Sequence, residues 1–167
     1  MNPNPFCLTL YKSLVRPHLE YCTAASSQHY ANDKVLLEKI QHRFTRMIVG
    51  MKELPYEERL RRLGLWTLEE RRVRADLIEV YGMSKGLSKV KFDYFFKYAT
   101  DSRTRGHHLK LKKGRVHLDL RQHFFTERVI NIWNSLDDQR VSPTSLNSFK
   151  SNLSRLRNKS QLQMDPV

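Results

Sequence analysis

At 167 residues and 40% hydrophobic content, the chain has enough apolar side chain for one domain or two small ones, which excludes disorder throughout. Thirty Lys and Arg against seventeen Asp and Glu leave a net charge of +13 and a pI near 10.0. That imbalance selects anionic partners, nucleic acid before anionic membrane. No apolar run approaches the roughly 20 residues needed to span a bilayer, so no membrane partner is expected. The opening MNPNP lacks the basic start and apolar middle of a secretory signal; the expected setting is nucleus or cytoplasm, not secreted.

In a reducing setting Cys7 and Cys22 read as free thiols. With His18 they make a Cys, His, Cys set that has no close pair of ligands, so no metal is expected there. Cys7, Leu10, Tyr11, Leu14 and Val15 repeat at helical spacing and predict a short helix ending near Arg16. Pro17 supplies the stop, because it removes a donor and crowds the preceding turn, and residues 17–21 can restart as another turn with Pro17 at a favourable first position. Residues 23–32 are small and polar and read as a connector.

The stretch from Asp33 to Gly50 is the clearest amphipathic helix. Leu36, Leu37, Ile40, Phe44, Met47 and Ile48 recur at steps of three and four and predict a core face. Around the other side run Lys34, Lys39, His42, Arg43 and Arg46, relieved mainly by Glu38. Asn32 or Asp33 is the expected cap, and Gly50 the left-handed stop. Pro55 opens the next helix and Gly64 ends it, with Glu57 and Glu58 leading and Arg61 and Arg62 trailing, as the helix dipole prefers. Thr67 and Glu70 then form a capping box for a helix ending near Ser84 or Gly86. Its core face holds Leu68, Val73, Leu77, Ile78 and Tyr81, while Arg71, Arg72 and Arg74 crowd its first half as a solvated or a phosphate-facing surface.

The aromatic cluster Phe92, Tyr94, Phe95, Phe96 and Tyr98 has no clean period and reads as a core plug in preference to a base-stacking platform. From Asp101 to Arg121 seven basic residues face two acidic ones. Alternation through His108–Lys112 and Arg115–Leu118 about Lys113 and Gly114 predicts a β-hairpin, residues 108–118, with one basic face suited to a phosphate backbone. His107, His108 and His117 lack acidic or thiolate companions at ligand spacing. Two helices close the chain, about 120–136 with Phe125, Val129, Ile132, Trp133 and Leu136, and about 145–157 with Leu146, Phe149, Leu153 and Leu156. A tail at 158–167 is expected to be disordered.

Polymerases and nucleases need acidic residues converging on divalent metal. The adjacent pairs Glu57 with Glu58, Glu69 with Glu70, and Asp137 with Asp138 fit helix first turns and a polar turn instead. With no Gly-rich phosphate loop and no nucleophile signature, catalysis by this chain alone is not expected and no cofactor is implied.

The blocks LYKSLVRPHLEYC (Leu10 to Cys22), LLEKIQHRFTRMI (Leu36 to Ile48), YEERLRRLGLWTLEERRVRADLIEVY (Tyr56 to Tyr81), TRGHHLKL (Thr104 to Leu111), FFTERVINIWNSL (Phe124 to Leu136) and SLNSFK (Ser145 to Lys150) occur in this order. Together they resemble the C-terminal part of the reverse transcriptase protein of non-LTR (LINE-type) retrotransposons, of the jockey-like and chicken-repeat clades. The resemblance runs from about Phe6 to Leu156. It implies a mostly α fold: a thumb-like helical bundle at 1–86, then a small basic α+β module at 87–157 with one hairpin and two helices. The family's palm, with the metal-binding Asp pair that would use Mg, has no counterpart in these residues. Asp137 stands where the family commonly has Pro, and residues 23–27 replace a Trp-bearing segment, as in a decayed or truncated copy.

The resemblance and the charge together predict a non-catalytic fragment of an RNA-directed DNA polymerase. It would bind RNA or an RNA/DNA hybrid without sequence preference, with the palm of an intact element protein as a further partner. Phosphate contacts are expected from Lys39, Arg43, Arg46, Arg71, Arg72, Arg74, Arg103, Arg105, Lys110, Lys112, Lys113 and Arg115. The alternatives are a helical protein-interaction module and a translated relic without function.

Overall fold

The structure is a computed structural model, and the residues it describes are 5–21, 31–100 and 106–157. Among these the fold is mostly α, and the chain falls into two compact units, Met1–Arg72 and Val73–Val167. The division lies inside a helix, not at 86/87 where the composition suggests a change of unit. The connector at 23–30, Cys22, Arg103, Arg105 and the tail 158–167 lie outside the described residues.

The first unit begins with α1 (Pro5–Leu10), a π-helical segment (Tyr11–Val15) and α2 (Arg16–Leu19). The chain stays helical through Arg16, and the expected restart is α2, with Pro17 in its first turn. The widened π turn, in which the Arg16 amide donates to the Tyr11 carbonyl, carries the backbone past Pro17, whose ring would clash with the carbonyl four residues back in a regular α turn. Helix α3 (Ala31–Met47) starts before Asn32 and Asp33, so neither expected cap lies at its boundary. Tyr11 stacks on Phe44 with ring centroids 4.1 Å apart and donates its hydroxyl to Gln41 Oε1 at 2.7 Å. Burial pushes the Tyr11 phenol well above its ordinary pKa, so it remains a donor.

Helix α4 (Tyr56–Leu63) ends on Gly64, whose φ of +59° closes the turn while the Leu65 amide reaches back to the Leu60 carbonyl at 2.9 Å. Tyr11, Ile48, Met51, Leu60, Leu63 and Leu65 form the first core. The capping box forms at the start of α5 (Leu68–Ser84): the Thr67 amide donates to Glu70 Oε2 at 2.9 Å, and the Glu70 amide to Thr67 Oγ1 at 3.1 Å.

The second unit packs α5 residues from Val73 onward against α7 (Phe125–Ser135) and α9 (Leu146–Arg157). Trp133, Leu77, Val80, Tyr81, Phe149 and Leu153 are completely buried there. The helix expected at 120–136 is broken into α6 (Asp119–Gln122) and α7, with Phe124 extended at the N-cap of α7. A short α8 (Asp138–Val141) is capped by Asp137, whose carboxylate accepts from the Arg140 amide at 3.1 Å. A proline at this position would have no side-chain acceptor to offer.

The hairpin at 108–118 does not form. Among the described residues the extended backbone makes one isolated antiparallel bridge, Tyr98 with Leu111. Residues 110–112 thus pair with 97–99 instead of with 115–118. Asn134 holds the opposite edge: its side chain takes both polar backbone atoms of Leu111, accepting from the amide at 2.8 Å and donating to the carbonyl at 2.9 Å. Trp133 Nε1 donates to the Leu109 carbonyl at 2.8 Å, and His107 Nε2 donates to the Trp133 carbonyl at 2.9 Å. The groups that a hairpin about Lys113 and Gly114 would have needed are taken elsewhere: the Lys112 amide donates to the Lys97 carbonyl and the Lys110 carbonyl accepts from the Ala99 amide. Gly106 at φ +127° completes the corner, since a Cβ there would lie 2.7 Å from Lys110 Cε.

Candidate nucleic-acid interface

The α3 surface is built differently from the pattern of its apolar residues. Gln41, Thr45 and Ile48 are buried, whereas Leu36, Ile40 and Met47 are exposed at 57%, 41% and 81%. The expected core face is therefore rotated toward the polar side, and a hydrogen-bond network accounts for it. Gln41 Nε2 donates to the Tyr56 hydroxyl at 2.9 Å and to the Trp66 carbonyl at 3.0 Å. Glu38 accepts from the Tyr56 hydroxyl and, at 2.9 Å, from the Leu68 amide at the start of α5. Burial, with that bond to Glu38, holds the Tyr56 phenol protonated far above its usual range.

Glu38 stands on this face as the relieving acid, its carboxylate also accepting from Tyr56 and from the start of α5. Lys39, Arg43 and Arg46 are exposed, fall on one stripe of α3 and make no ion pair with any described residue. A depression of about 500 Å³ runs along that face, lined by Val35, Glu38, Lys39, His42, Arg43 and Arg46. His42 stacks on Tyr56 at 3.5 Å and takes the Arg59 guanidinium at Nδ1, 3.3 Å away. Desolvation, reinforced by the Arg59 charge, holds its pKa below the ordinary value, so at pH 7 it adds no charge to the stripe.

The arginines of α5 are placed otherwise. Arg71 clamps Glu20 with both its Nε and, at 2.8 Å, its Nη2. Arg72 is buried, and Arg74 donates to the Lys150 carbonyl at 3.3 Å. These three belong to the interior and its margins. Arg61 and Arg62 of α4 fork onto Glu58 at 2.8 and 2.7 Å, and those bonds hold the Glu58 carboxyl down at about 2.

In the second unit Lys112, Lys113 and Arg115 are exposed, and Lys110 is half-buried with its stem against Gly106. Arg103 and Arg105 lie outside the described residues. Lys97, absent from the expected contacts, stands beside Lys112 in the bridge, since the Lys112 amide donates to the Lys97 carbonyl at 2.8 Å. The sequence signal for it is the alternation of apolar and basic residues in Phe96, Lys97 and Tyr98.

The acidic pairs occupy structural positions. Glu69 pairs with Lys34 at 2.7 Å, Glu70 closes the capping box, and Asp138 accepts from His108 Nδ1 at 2.8 Å, which lowers the Asp138 pKa. Among the described residues no three His, Cys, Asp or Glu side chains converge as a metal site, and no helix is long and apolar enough to cross a membrane. Comparison with protein-family models, with curated proteins and with solved structures gives no match.

Proposed function

We propose that this chain is a non-catalytic nucleic-acid-binding piece of a retroelement-type RNA-directed DNA polymerase, holding RNA or an RNA/DNA hybrid by its phosphates without reading sequence. The observation that carries the reading is the α3 stripe of Lys39, Arg43 and Arg46, all exposed and none ion-paired with a described residue. A net charge of +13 adds long-range attraction to the same ligand. Binding of this kind releases counterions, so affinity falls with salt at a slope of about 0.7 to 0.9 per phosphate neutralised. The test is a salt titration of a labelled RNA/DNA hybrid with the wild type and with K39E/R43E/R46E. The triple variant is expected to melt as the wild type does and to lose about 2 to 3 from the slope, one increment per lost contact. An affinity that barely changes with salt in the wild type overturns the reading.

A second reading, a helical protein-interaction module, is favoured by one observation. Phe6 and Leu14 on the first helical run, and Leu36 and Met47 on α3, are exposed at 66%, 61%, 57% and 81%. Retention of a protein partner after nuclease treatment supports that reading, and loss of the partner with the nucleic acid rejects it.

A further inference from the structure

The bridge between residues 97–99 and 110–112 has a defined register. The Ala99 amide donates to the Lys110 carbonyl and the Lys112 amide to the Lys97 carbonyl, both at 2.8 Å, on either side of the Tyr98 and Leu111 pair. Neighbouring residues in extended backbone point to opposite faces. Leu111, 2% exposed, and Tyr98, 39% exposed, therefore share one face, and Lys97, Ala99, Lys110 and Lys112 share the other.

Lys97 and Lys112 sit directly across from each other, both exposed, and neither makes an ion pair with a described residue. Like charges in that position destabilise a pair of strands. An anion laid between them removes the penalty. The segment behind them is held firmly, because hydrogen bonds from Asn134 and Trp133 fix the backbone at Leu111 and Leu109, and His107 donates to the Trp133 carbonyl. The lysines are thus presented on a pre-organised backbone, which reduces the ordering cost of binding.

The rings just before this ribbon divide into two sets. Phe96 is 4% exposed and Phe92 packs against the core, stacked on Tyr98 at 4.4 Å. Tyr94 and Phe95 face solvent at 76% and 47%. Basic side chains that follow a backbone, with exposed rings close by in the chain, are the elements of a single-strand site, in which bases stack on the rings and phosphates meet the cations. A duplex keeps its bases stacked on one another and leaves such rings without use.

We propose that Lys97 and Lys112, together with Tyr94 and Phe95, form a contact site for single-stranded nucleic acid, the lysines taking phosphates and the rings taking unstacked bases. The site rests on the reading of the chain as a nucleic-acid binder and narrows it to unpaired strand at this position.

The test compares a labelled single-stranded oligouridylate with a blunt RNA/DNA hybrid of equal length, measured by anisotropy over a salt series, with a thermal melt for each variant. Lys97→Glu converts the like-charge pair into an attractive one. It is expected to melt at or above the wild-type temperature, to bind the single strand about threefold to tenfold more weakly, and to lose about 0.7 from the salt slope. Tyr94→Ala is expected to weaken single-strand binding roughly fivefold or more, leaving the salt slope and hybrid affinity unchanged. A wild type that binds neither nucleic acid overturns the general reading. A wild type that binds steeply with salt, while both variants bind the single strand as tightly, overturns this site and leaves the general reading standing. Equal losses on strand and hybrid overturn the assignment to unpaired strand.

Discussion

Helices α3 and α5 both carry three cations within a few residues, and the fold uses them in opposite ways. On α3, Lys39, Arg43 and Arg46 stay in water because the helix turns Gln41, Thr45 and Glu38 toward its neighbours. On α5, Arg71 is claimed by Glu20, fifty-one residues earlier in the chain, and Arg74 by a carbonyl seventy-six residues later. A run of bases therefore says little about surface charge until the distant partners are known. The same division recurs at α7, where Arg128 grips Asp76 of α5 through two bonds of 2.8 and 2.9 Å, with only 7% of the Asp76 side chain exposed.

That inward pair offers the largest expected effect. Asp76→Ala leaves the Arg128 charge half-buried without its carboxylate, and breaking a buried pair on one side costs about 3 to 5 kcal/mol. Chemical denaturation checks it, with a fall in midpoint at constant slope. Replacing both partners, as Asp76→Leu with Arg128→Met, is expected to recover most of the loss, because neither charge of the pair is then left behind. Nucleic-acid affinity of the folded fraction should not change in either case. If it does, inward and outward cations are not separate classes.

The contrast between classes also explains what was legible. The caps at Gly64, Thr67 and Glu70 follow from short-range chemistry, in which a glycine or a reciprocal side chain satisfies amides a few residues away, and the structure has them in place. The core residues of α7 and α9 follow from period, and Trp133, Phe149 and Leu153 are completely buried. Non-local competition was hidden. The alternation at 108–118 matched a hairpin, yet residues 97–99, more than ten positions earlier, take the Lys110 and Lys112 backbone groups it would have used, and Asn134 pins Leu111 from the other edge. Likewise the apolar stripe of α3 gave way to a polar network whose members come from separate elements. Of the expected phosphate contacts, those of α3 and of residues 112–115 are exposed, whereas on α5 Arg72 is buried and Arg71 and Arg74 are half-buried with partners.

A smaller effect sharpens the comparison at the margin of the interior. Glu20→Gln removes the carboxylate that Arg71 clamps, in a pair whose side chains are 25% and 23% exposed. Partial exposure discounts its worth to about 1 kcal/mol, even with two-point geometry. The melt should drop by a few degrees, and the released Arg71 should raise affinity for a hybrid slightly. A drop as large as that of Asp76→Ala would place Arg71 fully among the inward cations.

The smallest effect separates two adjacent histidines. His108 is exposed beside Asp138, whereas His107 is 3% exposed, donates Nε2–H to the Trp133 carbonyl and leaves Nδ1 buried with no hydrogen-bond partner. Burial lowers the His107 pKa below the ordinary 6.5, the Trp133 bond opposes that shift, and the Lys110 charge adds to it. The unfolded chain therefore takes up a proton near pH 6.5 that the folded chain refuses, so the contribution is fully present above that pH and is lost progressively below it. For one proton the loss is at most about 1.4 kcal/mol per pH unit. Melting temperature should decline between about pH 7.5 and 5.5, with His42 adding to the decline in the same direction. His107→Gln keeps a donor for the Trp133 carbonyl and removes the titration, so its decline over this range should be shallower. An identical pH profile for the variant would mean that water reaches Nδ1 and that the lock behind the ribbon is open to solvent.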